Sequence, residues 1–298
     1  MNFDLSDDQH DIRRSAQEML AARYKLEEVR RLALEEERGF TDAQWQEMVD
    51  LGWPELLDDL GTVELAVIAE QLGYALAPTP LQSHWAAKMV DPSFEGRGTV
   101  GYRDGDSWLV PYLESADVVF LGGQRADGLS GEKVNALDPT RPLFRVSADG
   151  GDAPVDDRHL VLLAAENVGI AQRAMDMAVD YAKERKQFGR PIGTNQAVSH
   201  RCAQMLLEVE GARALVFNAA WAIEHDPDAA PLAAAMAKAW ASDAGPRVVA
   251  SSIQVHGGIG FTWEHDLHFF LKRAEANART LGNAREQRAR IADLILPA

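Results

Sequence analysis

Two stretches of the 298-residue chain combine residue types that could hold an anion. The first is Tyr181-Ala-Lys-Glu-Arg-Lys-Gln-Phe-Gly-Arg-Pro-Ile-Gly193, and the second is Gln254-Val-His-Gly-Gly-Ile-Gly-Phe261. Each sets cations or amide side chains beside glycines where a helical pattern breaks off. A planar guanidinium, free backbone N–H groups and an uncrowded main chain are what a phosphate needs. Taken singly, either stretch is just as well explained as a helix stop carrying solvated charge.

Other chemistry is less well provided for. His265 and His268 stand three apart beside Glu264. A di-metal bundle, however, needs a Glu-x-x-His pair from each of two helices and further carboxylates. No second such pair occurs, so no metal site is read. Cys202, the single cysteine, lies alone in a helical stretch and reads as a small buried apolar residue. Ser and His residues are scattered without a nucleophile-elbow sequence. The Gly257-Gly258-Ile259-Gly260 cluster follows a helix, whereas a dinucleotide fingerprint follows a strand.

The elements that must position these stretches fall into three zones: 1–92, 93–154 and 155–298. The first is helical: Leu5, Ile12 and Met19 recur at near-helical spacing, and Thr41-Asp42 caps a helix that Gly52-Trp53-Pro54 stops. Another helix is expected from Val63 to Leu76, with Ala77-Pro78-Thr79-Pro80 as a linker. The middle zone, rich in Gly, Asp, Ser and Pro, carries short apolar runs over 108–113 and 118–121, the marks of a small β-subdomain. In the last zone, helices are expected from Asp156 to Lys186, from Asn195 to His225 and from Pro231 to His256, with Pro246 a possible kink. One or two more follow Trp263. Helices of that length are stable chiefly by packing on each other, so a C-terminal four-helix bundle is expected. The fold class is mainly α with a small β-subdomain.

Composition bounds the function. Thirty Lys+Arg against 46 Asp+Glu leave a net charge of −16, and the pI is near 4.9. That surface repels nucleic acid and anionic lipid. A hydrophobic fraction of 46% excludes a disordered chain. One cysteine, no leader-like start at MNFDLSDDQHDIRR and no uncharged apolar stretch of membrane-spanning length together imply a soluble, cytoplasmic protein.

In this order and about seventy residues apart, the two anion-binding stretches resemble those of the acyl-CoA dehydrogenase family. The resemblance covers roughly 155–298 with specific motifs, and 1–90 more weakly through the helical pattern and Leu51-Gly52-Trp53. It implies an N-terminal helical domain, a middle β-domain and a C-terminal four-helix bundle. It also implies FAD as cofactor, an acyl-CoA substrate dehydrogenated between its α and β carbons, and an electron-transfer flavoprotein or similar acceptor. In the family the matching residues reach across a subunit interface to the pyrophosphate and adenosine of the neighbour's flavin. Here they are Arg185, Gln187 and Phe188, then Gln254, Gly257 and Gly258.

The flavin seat that such a chain would own is not matched. Neither the Thr-Glu-Pro strand motif nor the Trp-Ile-Thr-Asn-like strand occurs between 93 and 155, where the β-domain is also short. At the usual place of the catalytic base, before Gly282, stands Leu281, which cannot take a proton. The alternative place at the start of the long helix is matched by His159, and Glu166 lies on the same helix face two turns on. Both are weak candidates for a base, and Glu166 reads more simply as a solvated or interface glutamate. Retention of what is lent and loss of what is owned resembles the shortened subunit of heteromeric α2β2 acyl-CoA dehydrogenases of actinobacterial steroid degradation. The implied partner is a second, flavin-seating subunit, joined through an apolar interface to which the Ala-rich 229–244 segment, Trp221 and Trp240 could contribute. Two alternatives stay open: a self-sufficient homo-oligomer with a diverged base, and a flavin-free scaffold subunit.

Overall fold

The computed structural model describes residues 4–296. Residues 1–3 of the first zone and 297–298 of the last zone lie outside it. Three helices open the chain: α1 (Asp7–Arg23), α2 (Leu26–Glu35) and α3 (Asp42–Asp50). Thr41 caps α3 with its hydroxyl on the Gln44 N–H, and the Gln44 side chain returns to the Thr41 N–H, as the sequence implied. A turn at 53–55 and the short α4 (Leu56–Asp59) lead into α5 (Thr62–Ala75) and α6 (Leu81–Val90).

The 77–80 segment is not a linker. Ala77 and Thr79 are buried, and the chain passes directly into α6, whose Trp85 Nε1 donates to the Trp53 carbonyl oxygen at 2.9 Å. Its two prolines remove donors that a buried irregular segment would otherwise have to satisfy.

Six strands form the middle zone: β1 (Gly98–Asp104), β2 (Ser107–Pro111), β3 (Val118–Leu121), β4 (Gln124–Ala126), β5 (Glu132–Val134) and β6 (Leu143–Val146). They pair in the order β4-β3-β1-β2-β6-β5, with β1 and β3 parallel and the other neighbours antiparallel. Trp108, Val110, Leu121, Phe144 and Val146 make this sheet's own apolar core. The apolar run at 108–113 ends as a strand two residues early, because Tyr112 turns the chain at φ 55°.

The last zone is the expected bundle. Helix α7 (Asp157–Glu184) is followed by a two-residue hairpin, β7 (Lys186–Gln187) and β8 (Arg190–Pro191), and then by α8 (Gln196–His225) and α9 (Ala230–His256). Two further helices, α10 (Leu267–Arg279) and α11 (Ala284–Ile295), close the described chain. Helix α9 is the central one, packed against α7, α8, α10 and α11. That placement corrects the reading of its Ala-rich segment as a partner surface: Ala234, Ala237, Ala241 and Ala244 face the bundle's own core. Helix α9 runs unbroken through Pro246.

The N-terminal helices are joined to the bundle by a close crossing of α5 and α7. A Cβ at Gly73 would stand 2.0 Å from the Glu166 carbonyl oxygen, and one at Gly169 would stand 1.8 Å from that of Glu70. Only glycine allows two backbones that near. One apolar core consequently runs through both helical zones.

Candidate functional site

The two candidate anion-binding stretches meet at one end of the bundle, although Arg185 and Gln254 are 69 positions apart. Because α7 and α9 run the same way, with α8 returning between them, their C-termini share that end. A stacked pair joins them: Tyr181 on α7 lies over His256 on α9, ring centroids 4.5 Å apart. His265 meets the other side of His256 edge-on at 4.5 Å. The His256 ring is fixed by Nδ1 donating to the Ser252 carbonyl oxygen at 2.8 Å, and the Ser252 hydroxyl donates to that of Ala174.

Each predicted contact residue is presented outward. Arg185 is the cap of α7, its N–H on the Tyr181 carbonyl. Its guanidinium is exposed and has no carboxylate partner among the described residues. Gln187 is exposed in the hairpin, and Phe188, at φ 53°, is 99% exposed at its tip. Gln254 is exposed on the last turn of α9. Gly257 follows at φ 65°, where an L side chain would be strained. A Cβ on Gly257 or Gly258 would meet nothing within 4 Å, so packing within this chain does not explain those two glycines. An open main chain beside a free guanidinium and two amides fits the pyrophosphate and adenosine of FAD approaching from outside. Surface cavities of about 570 and 450 Å³ lie elsewhere and are lined by none of these six residues.

The base candidates are placed very differently. Glu166 is 1% exposed, which overturns its reading as a solvated or interface residue. Arg141 donates to both of its oxygens, Arg273 to Oε1 at 2.8 Å and Asn277 to Oε2 at 2.9 Å. Burial by itself would raise its pKa, but the two guanidiniums hold the carboxyl below its usual value. With its lone pairs engaged by cations, Glu166 is a structural anion and is poorly suited to taking a proton. Arg273 also grips Asp138 and Thr140 of the β5–β6 connection, so this cluster ties the β-zone to α7 and α10.

Leu281 lies at φ 59° in the turn between α10 and α11, beside a second buried charge. The Lys238 ammonium donates to the carbonyl oxygens of Asn277, Ala278 and Gly282 and to the Ser242 hydroxyl. It caps α10, and burial lowers its pKa to about 8. The sequence reading missed Arg141, Arg273, Asp138, Asn277 and Lys238. A signal existed for Lys238 and Arg273, since each is a long cation on an otherwise apolar helix face.

His159 is buried, its Nε2 3.4 Å from the Tyr102 hydroxyl of β1, and burial pushes its pKa down to about 4. His84 is also buried, and its Nδ1 accepts the Gly98 N–H at 3.0 Å, which requires a neutral ring. Its pKa too is lowered to about 4, by burial first and then by Lys88 and Arg97. Both rings sit below their ordinary value in the folded chain, so the unfolded chain binds more protons. Stability is therefore complete above pH 6.5 and is lost as pH falls towards 4. At about 1.4 kcal/mol per unit, each ring costs about 2 kcal/mol by pH 5. Denaturant unfolding at pH 7.5 and pH 5 checks this, and equal midpoints would refute it.

The metal-like cluster resolves into aromatic packing. His268 lies against Trp263 and Phe269, and no group of three or more His, Cys, Asp or Glu poised for a metal occurs among the described residues. Cys202 is half-buried at the margin of the core. Trp221 stacks on His225, and Trp240 is partly exposed, its Nε1 on the Glu208 carbonyl.

Comparison with known proteins identifies the family and the fold. The family model described as acyl-CoA dehydrogenase, C-terminal domain, matches residues 160–296. The acyl-CoA dehydrogenase IpdE2 of Mycobacterium tuberculosis is 34% identical over 284 residues, covering 86% of this chain and 87% of that protein. Among solved structures, a variant of the steroid ACAD Tcur3481–Tcur3483 matches with a TM-score of 0.83 and 26% identity, over 97% of this chain and 98% of the other. The ChsE4–ChsE5 complex of Mycobacterium tuberculosis shares the fold, with a TM-score of 0.81 and 24% identity over 98% of each chain.

Proposed function

The chain belongs to the acyl-CoA dehydrogenase family, and from that footing we propose that it is the flavin-lending subunit of a heteromeric, FAD-dependent acyl-CoA dehydrogenase. A second subunit supplies the flavin seat and the base, and the substrate is a bulky, steroid-derived CoA thioester. The observation that carries this reading is a division of labour on one chain. Five of the six residues matched to flavin contact are exposed at one end of the bundle and the sixth, Gly257, is half-buried there, while the only carboxylate candidate for a base is locked between two arginines. Support for a heteromer also comes from two structural neighbours, the steroid ACAD Tcur3481–Tcur3483 and the ChsE4–ChsE5 complex, each made of two components.

FAD held there would supply the hydride acceptor for dehydrogenation of the thioester between its α and β carbons, the proton going to a base. This chain's part is to bind and orient. Arg185 would offer a charged fork to the pyrophosphate, and the open main chain at Gly257 and Gly258 would offer it backbone N–H groups. Gln254 and Gln187 supply amides for the adenosine, and Phe188 covers it from water. The functional division follows the residue ranges 1–92, 93–154 and 155–298, with the last as the lending domain. No described helix is long and apolar enough to cross a membrane. We assign the enzyme to the cytoplasm, with an electron-transfer flavoprotein or similar acceptor downstream.

The test is a flavin spectrum with a mass determination, on the chain alone and co-expressed with a neighbouring longer dehydrogenase gene. Colourless alone and yellow as a complex, at one flavin per pair of unlike chains, is the expected result. A full flavin on the chain purified alone would overturn the proposal and direct attention to His159. A colourless complex would favour a scaffold role.

A further inference from the structure

The end of the bundle that carries the lending residues also exposes an apolar surface that no internal packing explains. Phe188 is 99% exposed, Phe261 and Trp263 are each 70% exposed, and Ile259 is partly exposed. Three of these four follow Gly258 within five residues. So dense a set of large apolar side chains on an otherwise acidic chain marks a surface that is covered in the working protein.

Trp263 differs from a loose surface tryptophan. The Lys272 ammonium lies 4.5 Å from its ring centroid, and His268 meets it edge-on at 4.7 Å. Its backbone is clasped from α2: Arg30 donates to the carbonyl oxygens of Trp263 (2.9 Å) and Glu264 (3.0 Å) while pairing with Asp266. The indole is thus held in place before any partner arrives, which lowers the entropy lost on association. Rigid tryptophans of this kind are the commonest anchors of protein interfaces.

The charge around the patch selects its occupant. Arg185, Lys186 and Arg190 lie at this end without carboxylate partners among the described residues, in a chain of net charge −16. A second copy of so acidic a chain is repelled overall, whereas a face bearing a flavin pyrophosphate meets these cations directly. The apolar patch is also continuous in sequence with Gln254–Gly258.

We infer that Trp263 is the anchor of the subunit interface, covered by the flavin-seating partner and not by another copy of this chain. The inference rests on the proposed heteromer, but it assigns Trp263 to assembly and not to flavin contact. That separation makes the two readings distinguishable.

The experiment measures subunit affinity by sedimentation, and flavin per assembled pair by absorbance, for Trp263→Ala, Trp263→Phe and Arg185→Gln in the co-expressed complex. Trp263→Ala should raise the subunit Kd at least 30-fold, Trp263→Phe by less than 10-fold, and the pairs still assembled should keep their flavin. Because the ring is mostly exposed, the melting temperature of the isolated Trp263→Ala chain should stay close to that of the parent. An unchanged subunit Kd, or assembled pairs that lose flavin, would overturn the anchor role. A homodimer of this chain alone, broken by Trp263→Ala, would overturn the identity of the partner. Flavin unaffected by Arg185→Gln would instead sink the lending function and leave the anchor standing.

Discussion

Arg185→Gln in the co-expressed complex will strip flavin from the partner, raising its dissociation constant about 10- to 150-fold. The guanidinium is the one charged group among the six lending residues, and a hydrogen bond to a charged group contributes about 1.5–3 kcal/mol. Gln offers a neutral amide of shorter reach, so both the charge and the two-pronged geometry are lost. Gln254→Ala removes a neutral contact, and its effect should be smaller, about five- to tenfold. Neither residue is buried or bonded to another side chain, so thermal stability should be unaffected by either change. Absorbance of the filtered complex at increasing dilution reads the flavin constant directly. Flavin dissociation constants unchanged from the parent complex in both variants would mean that this end of the bundle does not touch it.

Arg273→Met is expected to produce the largest loss of stability in the chain. Arg273 is almost wholly buried and pairs at once with Glu166 and Asp138. Removing it leaves Asp138 without its guanidinium and Glu166 with Arg141 and the neutral Asn277, at a cost of about 3–5 kcal/mol. For a chain of this size, that corresponds to a melting temperature lower by roughly 10 °C. Glu166→Gln should also destabilise, since Arg141 and Arg273 then face a neutral amide. If Glu166 were instead the base, Glu166→Gln would abolish turnover in the complex and leave the melting temperature unchanged. The paired measurement therefore separates a structural anion from a catalytic one. Cross-domain ties of this sort also explain why 77–80 and the β5–β6 connection are ordered segments and not free linkers.

The acid sensitivity assigned to His84 and His159 has a different origin from that of the arginine cluster. The two rings are destabilising only when protonated, because each is buried in its neutral form. Glu166 is destabilising only when neutral, because its partners are permanent cations. Both act in the same direction on acidification, but the histidine effect begins near pH 6.5 and the carboxylate effect at lower pH. A stability curve with an early shallow fall and a later steep one is the combined expectation.

Much of the architecture was legible in the residues because the rules involved are local. Thr41-Asp42 specifies a cap, and the stretches 156–186, 195–225 and 231–256, bounded by Gly- and Pro-bearing breaks, specify the long helices that the structure places at Asp157–Glu184, Gln196–His225 and Ala230–His256. Glycines after His256 specify a stop. The candidate flavin contacts could be picked out for a related reason: a guanidinium and a glycine pair suit an anion through chemistry that lies in their own side chains and backbone. What the sequence could not state was which of those residues would face each other. Tyr181 and His256 are 75 positions apart, and only the parallel course of α7 and α9 stacks them and unites the two stretches.

The fate of the charged residues was decided by tertiary structure alone. Glu166 carries no sequence mark that separates a solvated carboxylate from a buried one, and its two arginines come from positions 25 residues before it and 107 after it. The alanines of α9 looked suited to a partner, yet they face the bundle's own core, whereas Trp240 stays partly exposed and Trp263 faces outward. Exposure is a property of the whole packed molecule, since it depends on which other elements arrive at a surface. Helix periodicity, capping and the anion-binding residue types were determined by the sequence itself, because each depends on neighbours a few positions away. Burial, ion pairing and the surface left uncovered depend on neighbours brought from elsewhere in the chain, and only the fold supplies them.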